Sequence, residues 1–160
     1  MVYAVPLSDS TYGIAQANAI QSSFINIVYV AIFSDRFIEI PKASPVLTRE
    51  SAICLRATWE QGLNRKEWKS IGIAPEAFDK SELPNERYRH DAYVGTENSD
   101  VALLTKHLEA YHGLAPWNVM FDPKYFDQLL RPGIHRPESE ILLDDKERET
   151  YRREVLNINI

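Results

Sequence analysis

The chain predicts a mostly β, α+β fold: a strongly bent antiparallel sheet or a small SH3-like barrel in the first half, then two to three helices. Three observations carry that reading. Short apolar segments separated by Ser, Asp, Gly and Pro succeed one another through residues 2–73, the pattern of consecutive antiparallel strands. A single seven-residue apolar run, Ile27–Phe33, reads as a buried strand. Every strong helix signal falls after residue 98, so the chain divides into a strand-rich part, 1–97, and a helix-containing part, 98–160, of one domain.

The first element is an apolar strand, Val2–Leu7, that turns through Ser8, Asp9 and Ser10 and returns as Tyr12–Ile20. Ser and Asp hydrogen-bond their own backbone in such turns, and Gly13 tolerates conformations other residues avoid. A polar connection at Gln21–Ser23 leads to a third strand, Phe24–Ser34, with a bend at Asp35-Arg36. Pro41 and Pro45 interrupt the segment that follows. A second hairpin is then expected. Ile53, Leu55, Ala57 and Trp59 alternate with Cys54, Arg56 and Thr58, a turn at Gly62–Arg65 follows, and Glu67–Ile73 forms the return arm. Trp59 and Trp68 would be cross-strand neighbours packed on its core face.

Residues 74–92 read as loop, with a short strand at Ala92–Thr96. The best helix is Asp100–His112. Ser99 is placed as its N-cap, Asp100 suits the positive end, and Gly113 stops it. Val101, Leu104, Leu108 and Tyr111 make its apolar stripe. A shorter helix spans Pro123–Leu130, capped by Asp122 and ended by Pro132-Gly133. The tail, Asp144–Leu156, is helical by propensity, carries a Glu149–Arg153 pair and is poor in apolar residues, so it is expected at the periphery.

With 160 residues, 44% apolar, the chain can bury a core without metal or disulfide. Its one cysteine, Cys54, excludes an internal disulfide and suits a reducing compartment. No apolar run approaches the length of a membrane span, and no secretory leader is visible. A cytoplasmic protein with no membrane contact is expected.

Charge is asymmetric. Residues 1–80 hold eight basic and eight acidic side chains, whereas residues 81–160 hold ten basic and fifteen acidic, so the whole net charge of −5 sits in the second half. Phosphate backbones are bound by basic surfaces, which argues against direct nucleic-acid binding.

Catalytic patterns are not recognisable. His107 and His112 are five apart, about 140° around a helix, rather than the i, i+4 of a two-His metal site. His90 and His135 sit in polar segments. Cys54 lies in a strand alternation with no thiolate-stabilising partner nearby. Phosphate-binding glycine motifs and a G-x-S-x-G elbow are not present. The expectation is therefore no catalytic residue, no metal ligand and no cofactor. Trp117, at the exit from the main helix, is either a core plug or an interface anchor. Glu138, Glu140, Asp144 and Asp145 form an acidic cluster able to steer a basic partner, although Lys146, Arg148, Arg152 and Arg153 offset part of its charge.

Four pieces in order carry a family resemblance: Val5-Pro6-Leu7-x-Asp9-x-x-Tyr12-Gly13-x-x-Gln16, the strand Val28–Phe33, Trp68-x-x-Ile71-Gly72, and Gly113-x-x-Pro116-Trp117. Together, over about residues 2–120, they make the chain resemble immunity protein family 26 of bacterial polymorphic-toxin systems. Residues 121–160 carry no motif of that family. The resemblance implies a small cytoplasmic antidote that neutralises a cognate protein toxin by stoichiometric binding, without catalysis. A basic toxin would complement the acidic half. Through a phosphotriesterase label in one branch, the family also raises an alternative, a metal-assisted phosphoester hydrolase. That chemistry asks for converging His and carboxylates. A non-enzymatic structural or interaction module is the third reading.

Overall fold

Five strands make one open antiparallel sheet in the order β4-β3-β2-β1-β5. The computed structural model describes residues 1–19, 27–64, 67–91 and 94–157. β1 (Val2–Pro6), β2 (Tyr12–Ala19), β3 (Ile27–Phe37) and β4 (Ala52–Trp59) are a meander of antiparallel neighbours. The two edge strands do not pair with each other, so the sheet stays open rather than closing into a barrel. The connection expected at Gln21–Ser23 lies outside the described residues.

The first turn forms as its residues dictate. Leu7 N–H donates to Thr11 O at 2.9 Å and Ser10 adopts φ 69°. The Asp9 carboxylate accepts from both Thr11 N–H (3.2 Å) and Thr11 Oγ1 (2.7 Å). β3 runs past the bend expected at Asp35-Arg36. Ser34 and Asp35 are accommodated as a bulge, because Ile14 pairs with Phe33 while Gly13 pairs with Arg36. Arg36 then pairs with Asp9 and donates from Nε to Thr11 Oγ1 at 2.9 Å, tying the far end of β3 to the turn.

Both faces of the sheet are covered, which is why Ile27–Phe33 is continuously apolar rather than alternating. Val28, Val30 and Ile32 face the helices together with Ala15 and Ala17. Ile14, Ala31 and Phe33 face Phe78 and the segment around it. Gln16, 1% exposed at the centre of β2, clamps that segment down. Its Nε2 donates to Pro75 O at 2.7 Å, and its Oε1 accepts from Ala77 N–H at 3.0 Å.

The second hairpin does not form. After β4 the chain makes a one-turn helix, α1 (Glu60–Asn64), and crosses the helix-bearing face with Leu63 and Trp68 in the core there. β5 (Lys69–Gly72) then pairs with β1 at the opposite edge. Alternation along 53–59 marks a strand but neither its inward face nor its partner: Cys54 and Thr58 are buried as fully as Ile53 and Ala57, Trp59 is exposed, and β1 offered an unpaired edge. Trp59 and Trp68 therefore part company: Trp59 is half exposed, whereas Trp68 is buried against Tyr3 and donates from Nε1 to Thr105 Oγ1 at 3.0 Å.

Of the strand expected at 92–96, residues 94–96 form none. Residues 92 and 93 lie outside the described residues, Val94-Gly95 is a turn, and Asn98 alone bridges to Ala57. α2 (Val101–Tyr111) is capped by Asp100 rather than Ser99, since it is Asp100 that accepts from Ala102 N–H at 2.8 Å. Gly13 lets α2 approach: a Cβ there would lie 2.3 Å from Leu108 Cδ2. Gly113 ends the helix at φ 68°, with Ser139 O pressed where a side chain would stand. α3 (Tyr125–Leu129) is shorter than expected, because the Asp122 carboxylate closes an Asx turn on Lys124 N–H (2.8 Å) ahead of it. α4 (Asp145–Glu154) is peripheral as expected. Arg153 lies 3.6 Å from Glu154 rather than pairing with Glu149.

Candidate interaction site

Trp117 leaves α2 through Pro116 and turns inward. It is fully buried, edge-on to Phe126, with the His107 ring against it (centroids 5.7 and 5.3 Å). Its Nε1 donates to Asp127 Oδ1 at 3.2 Å. The side chain is thus the core plug, and the interface-anchor reading of Trp117 is corrected: it is buried in the helix-side core, with Phe126 and His107 against its ring.

Asp127 links that box to the acidic segment. Arg136 forks onto both Asp127 oxygens, its Nη2 at 2.6 Å from Oδ2, and reaches Glu140 Oε2 from Nη1 at 3.2 Å. The bond from Arg136, helped by that from Trp117, holds the Asp127 carboxyl below the usual carboxylate range. The carboxylate in turn raises the Arg136 guanidinium. This fork joins residues nine apart across Pro132-Gly133. The only signal of it in the sequence was the turn that folds the chain back there.

The segment 138–145 is pinned by its backbone. Trp117 N–H donates to Ile141 O at 2.8 Å. Asn118 grips Leu143 at both ends, donating from Nδ2 to Leu143 O (2.8 Å) and accepting from Leu143 N–H (3.0 Å). Arg148 closes the far side, donating from Nε to Asn118 O at 2.6 Å. Trp117 and the acidic cluster are therefore neighbours, joined through the Trp117 backbone and, by way of Asp127 and Arg136, through its indole.

The four acidic residues differ in what they do. Asp144 caps α4, accepting from Glu147 N–H at 2.9 Å while Glu147 returns the bond to Asp144 N–H at 3.0 Å. Glu140 is engaged by Arg136. Asp145 is fully exposed and accepts a hydrogen bond from Arg148 Nη1 at 3.2 Å. Glu138 is exposed. Between them stand two exposed apolar side chains, Ile141 and Leu142, at 41% and 53%. The surface is thus a held strip with exposed Ile141 and Leu142 flanked by acidic side chains on both sides.

The candidate chemical residues lie apart from it. Cys54 is buried in β4, and burial pushes its thiol up to about 12. His107 is buried in the aromatic box, where desolvation and the nearby Arg56 charge bring it down to about 4. His112, half buried, is also lowered by burial. Among the described residues no three His, Cys, Asp or Glu side chains converge into a metal-holding group. No helix there is long and apolar enough to cross a membrane. Comparison with protein-family models, with curated proteins and with solved structures finds no match.

Proposed function

We propose that the protein is a cytoplasmic immunity protein that neutralises a basic bacterial toxin by stoichiometric binding, docking through the segment 138–145. The observation that supports this is the strip itself. Glu138 and Asp145 are exposed charges, Ile141 and Leu142 are exposed apolar contacts, and Trp117, Asn118 and Arg148 hold the backbone beneath them. A pre-ordered strip loses little entropy on docking, and its charges accelerate encounter with a basic face. Gly13, Gln16, Trp68, Gly113 and Trp117, among the residues on which the resemblance to the immunity family rests, organise the fold.

The test is co-expression with the product of an adjoining toxin gene. Restored growth, a one-to-one complex and an association rate that slows steeply with salt would support the proposal. Reversing Glu138 and Asp145 to Lys should flatten the salt dependence. Failure to protect, or turnover of a phosphoester substrate by the purified protein, would sink the reading.

A further inference from the structure

β4 is an edge strand, and two pieces of chain cover it without completing it. Leu130 bridges to Cys54, with Arg131 N–H donating to Ile53 O at 2.9 Å. Asn98 bridges to Ala57, with Ser99 N–H donating to Ala57 O at 2.8 Å. Arg56 lies between those two attachments. Three depressions, of about 510, 340 and 290 Å³, meet at its side chain.

The largest has the makings of a ligand site. Arg56 and Arg131 both line it, together with Phe78 and the apolar side chains of Leu55 and Leu129. Arg56 donates from Nη2 to Gln128 O, and its Nε is buried without a hydrogen-bond partner. Arg131 is fixed by Nη1 bonds to Arg49 O (2.5 Å) and Ala52 O (2.9 Å), its guanidinium 4.5 Å over the Phe78 ring. Among the described residues neither arginine has a carboxylate within salt-bridge distance. Glu82, the carboxylate lining this depression, is already taken by Arg49 and by Asp79 N–H. Two anchored arginines lining a partly apolar hollow suit an oxyanion borne on an apolar body. The two smaller depressions are lined by Glu97, and one also by Glu86, which disfavours an anion there.

We propose that the hollow between β4 and the Gln128–Arg131 segment binds a small organic oxyanion, a carboxylate or phosphate on an aryl or short acyl group, through Arg56 and Arg131. Desolvation and the neighbouring Arg49 lower Arg131 against the opposing charge of Glu50, and a bound anion would offset both costs.

Titration of the full chain with benzoate, phenyl phosphate, inorganic phosphate and benzylamine, followed by amide shifts, decides the matter. Benzoate or phenyl phosphate should bind saturably in the millimolar range or tighter, with shifts gathered at residues 54–57 and 128–131. Arg56→Gln should weaken binding about tenfold or more, and Arg56→Lys less. Because Arg131→Gln also removes structural bonds, it is read only alongside a folded amide spectrum. Shifts scattered over the surface, equal binding of benzylamine, or inorganic phosphate binding as tightly as phenyl phosphate would each overturn the proposal. So would unchanged affinity in a folded Arg56→Gln protein.

Discussion

The Trp117 indole donates to the Asp127 carboxylate at 3.2 Å, and the same carboxylate receives the Arg136 fork. A buried aromatic box is thereby joined to a surface guanidinium through one acid. Trp117→Ala should cost about 3–5 kcal/mol, because it empties a fully buried site and strands the bond to Asp127. Arg136→Ala should cost less, since its ion pairs are partly exposed. Urea denaturation of both variants checks the order. Equal losses would mean that the fork holds the segment as strongly as the box does.

Acid should weaken the fold through His107. Its folded value of about 4 lies below the ordinary 6.5, so between those values the unfolded chain binds a proton that the native protein refuses. Stability therefore falls as pH drops from about 6.5 to about 4, by on the order of 3 kcal/mol, and levels off for this group below that. Asp127 opposes the shift, whereas Arg56 reinforces it. His107→Leu should flatten this part of the curve. A variant with the wild-type acid slope would show that another group titrates there.

Gly13→Ala should destabilise by about 1–3 kcal/mol, since the new methyl meets Leu108 at 2.3 Å in a filled core. Adding Leu108→Ala should make the pair cost less than the sum of the two single changes. Strict additivity in thermal melts would show that α2 gives way elsewhere.

The acidic strip should separate by role. Asp144→Ala removes a helix cap and should cost about 1 kcal/mol. Glu138→Lys should stay within about 0.5 kcal/mol of wild type. A large loss at Glu138 would place it in the fold rather than at a docking surface.

Cys54 should be inert in the native protein. A buried thiol held up to about 12 has little thiolate at neutral pH, so aromatic disulfide reagents should react only after denaturation. Cys54→Ala should cost about 1–2 kcal/mol and leave partner binding intact. Rapid native labelling would show that β4 opens at its edge.

What was legible in the residues was local. Asp9 and Thr11 make their turn from neighbouring atoms, the stripe Val101–Leu104–Leu108 makes α2 face inward, and Gly113 alone suits the helix stop. The continuous run at 27–33 announced a buried strand, and the structure covers it on both sides. What only the tertiary structure decided is which element meets which. Alternation at 53–59 marks β4 as a strand but is silent on its faces and its neighbour: Cys54 and Thr58 are buried, and β5 went to β1 and parted Trp59 from Trp68. Trp117 carries the same apolar surface in the core or at an interface, and Phe126 and His107, brought from other elements, resolved it inward. Arg56, Phe78 and Arg131 share a hollow across 75 residues of chain, counted from 56 to 131. Periodicity records the face a residue turns toward apolar surroundings, whereas the identity of those surroundings is set by packing of distant segments.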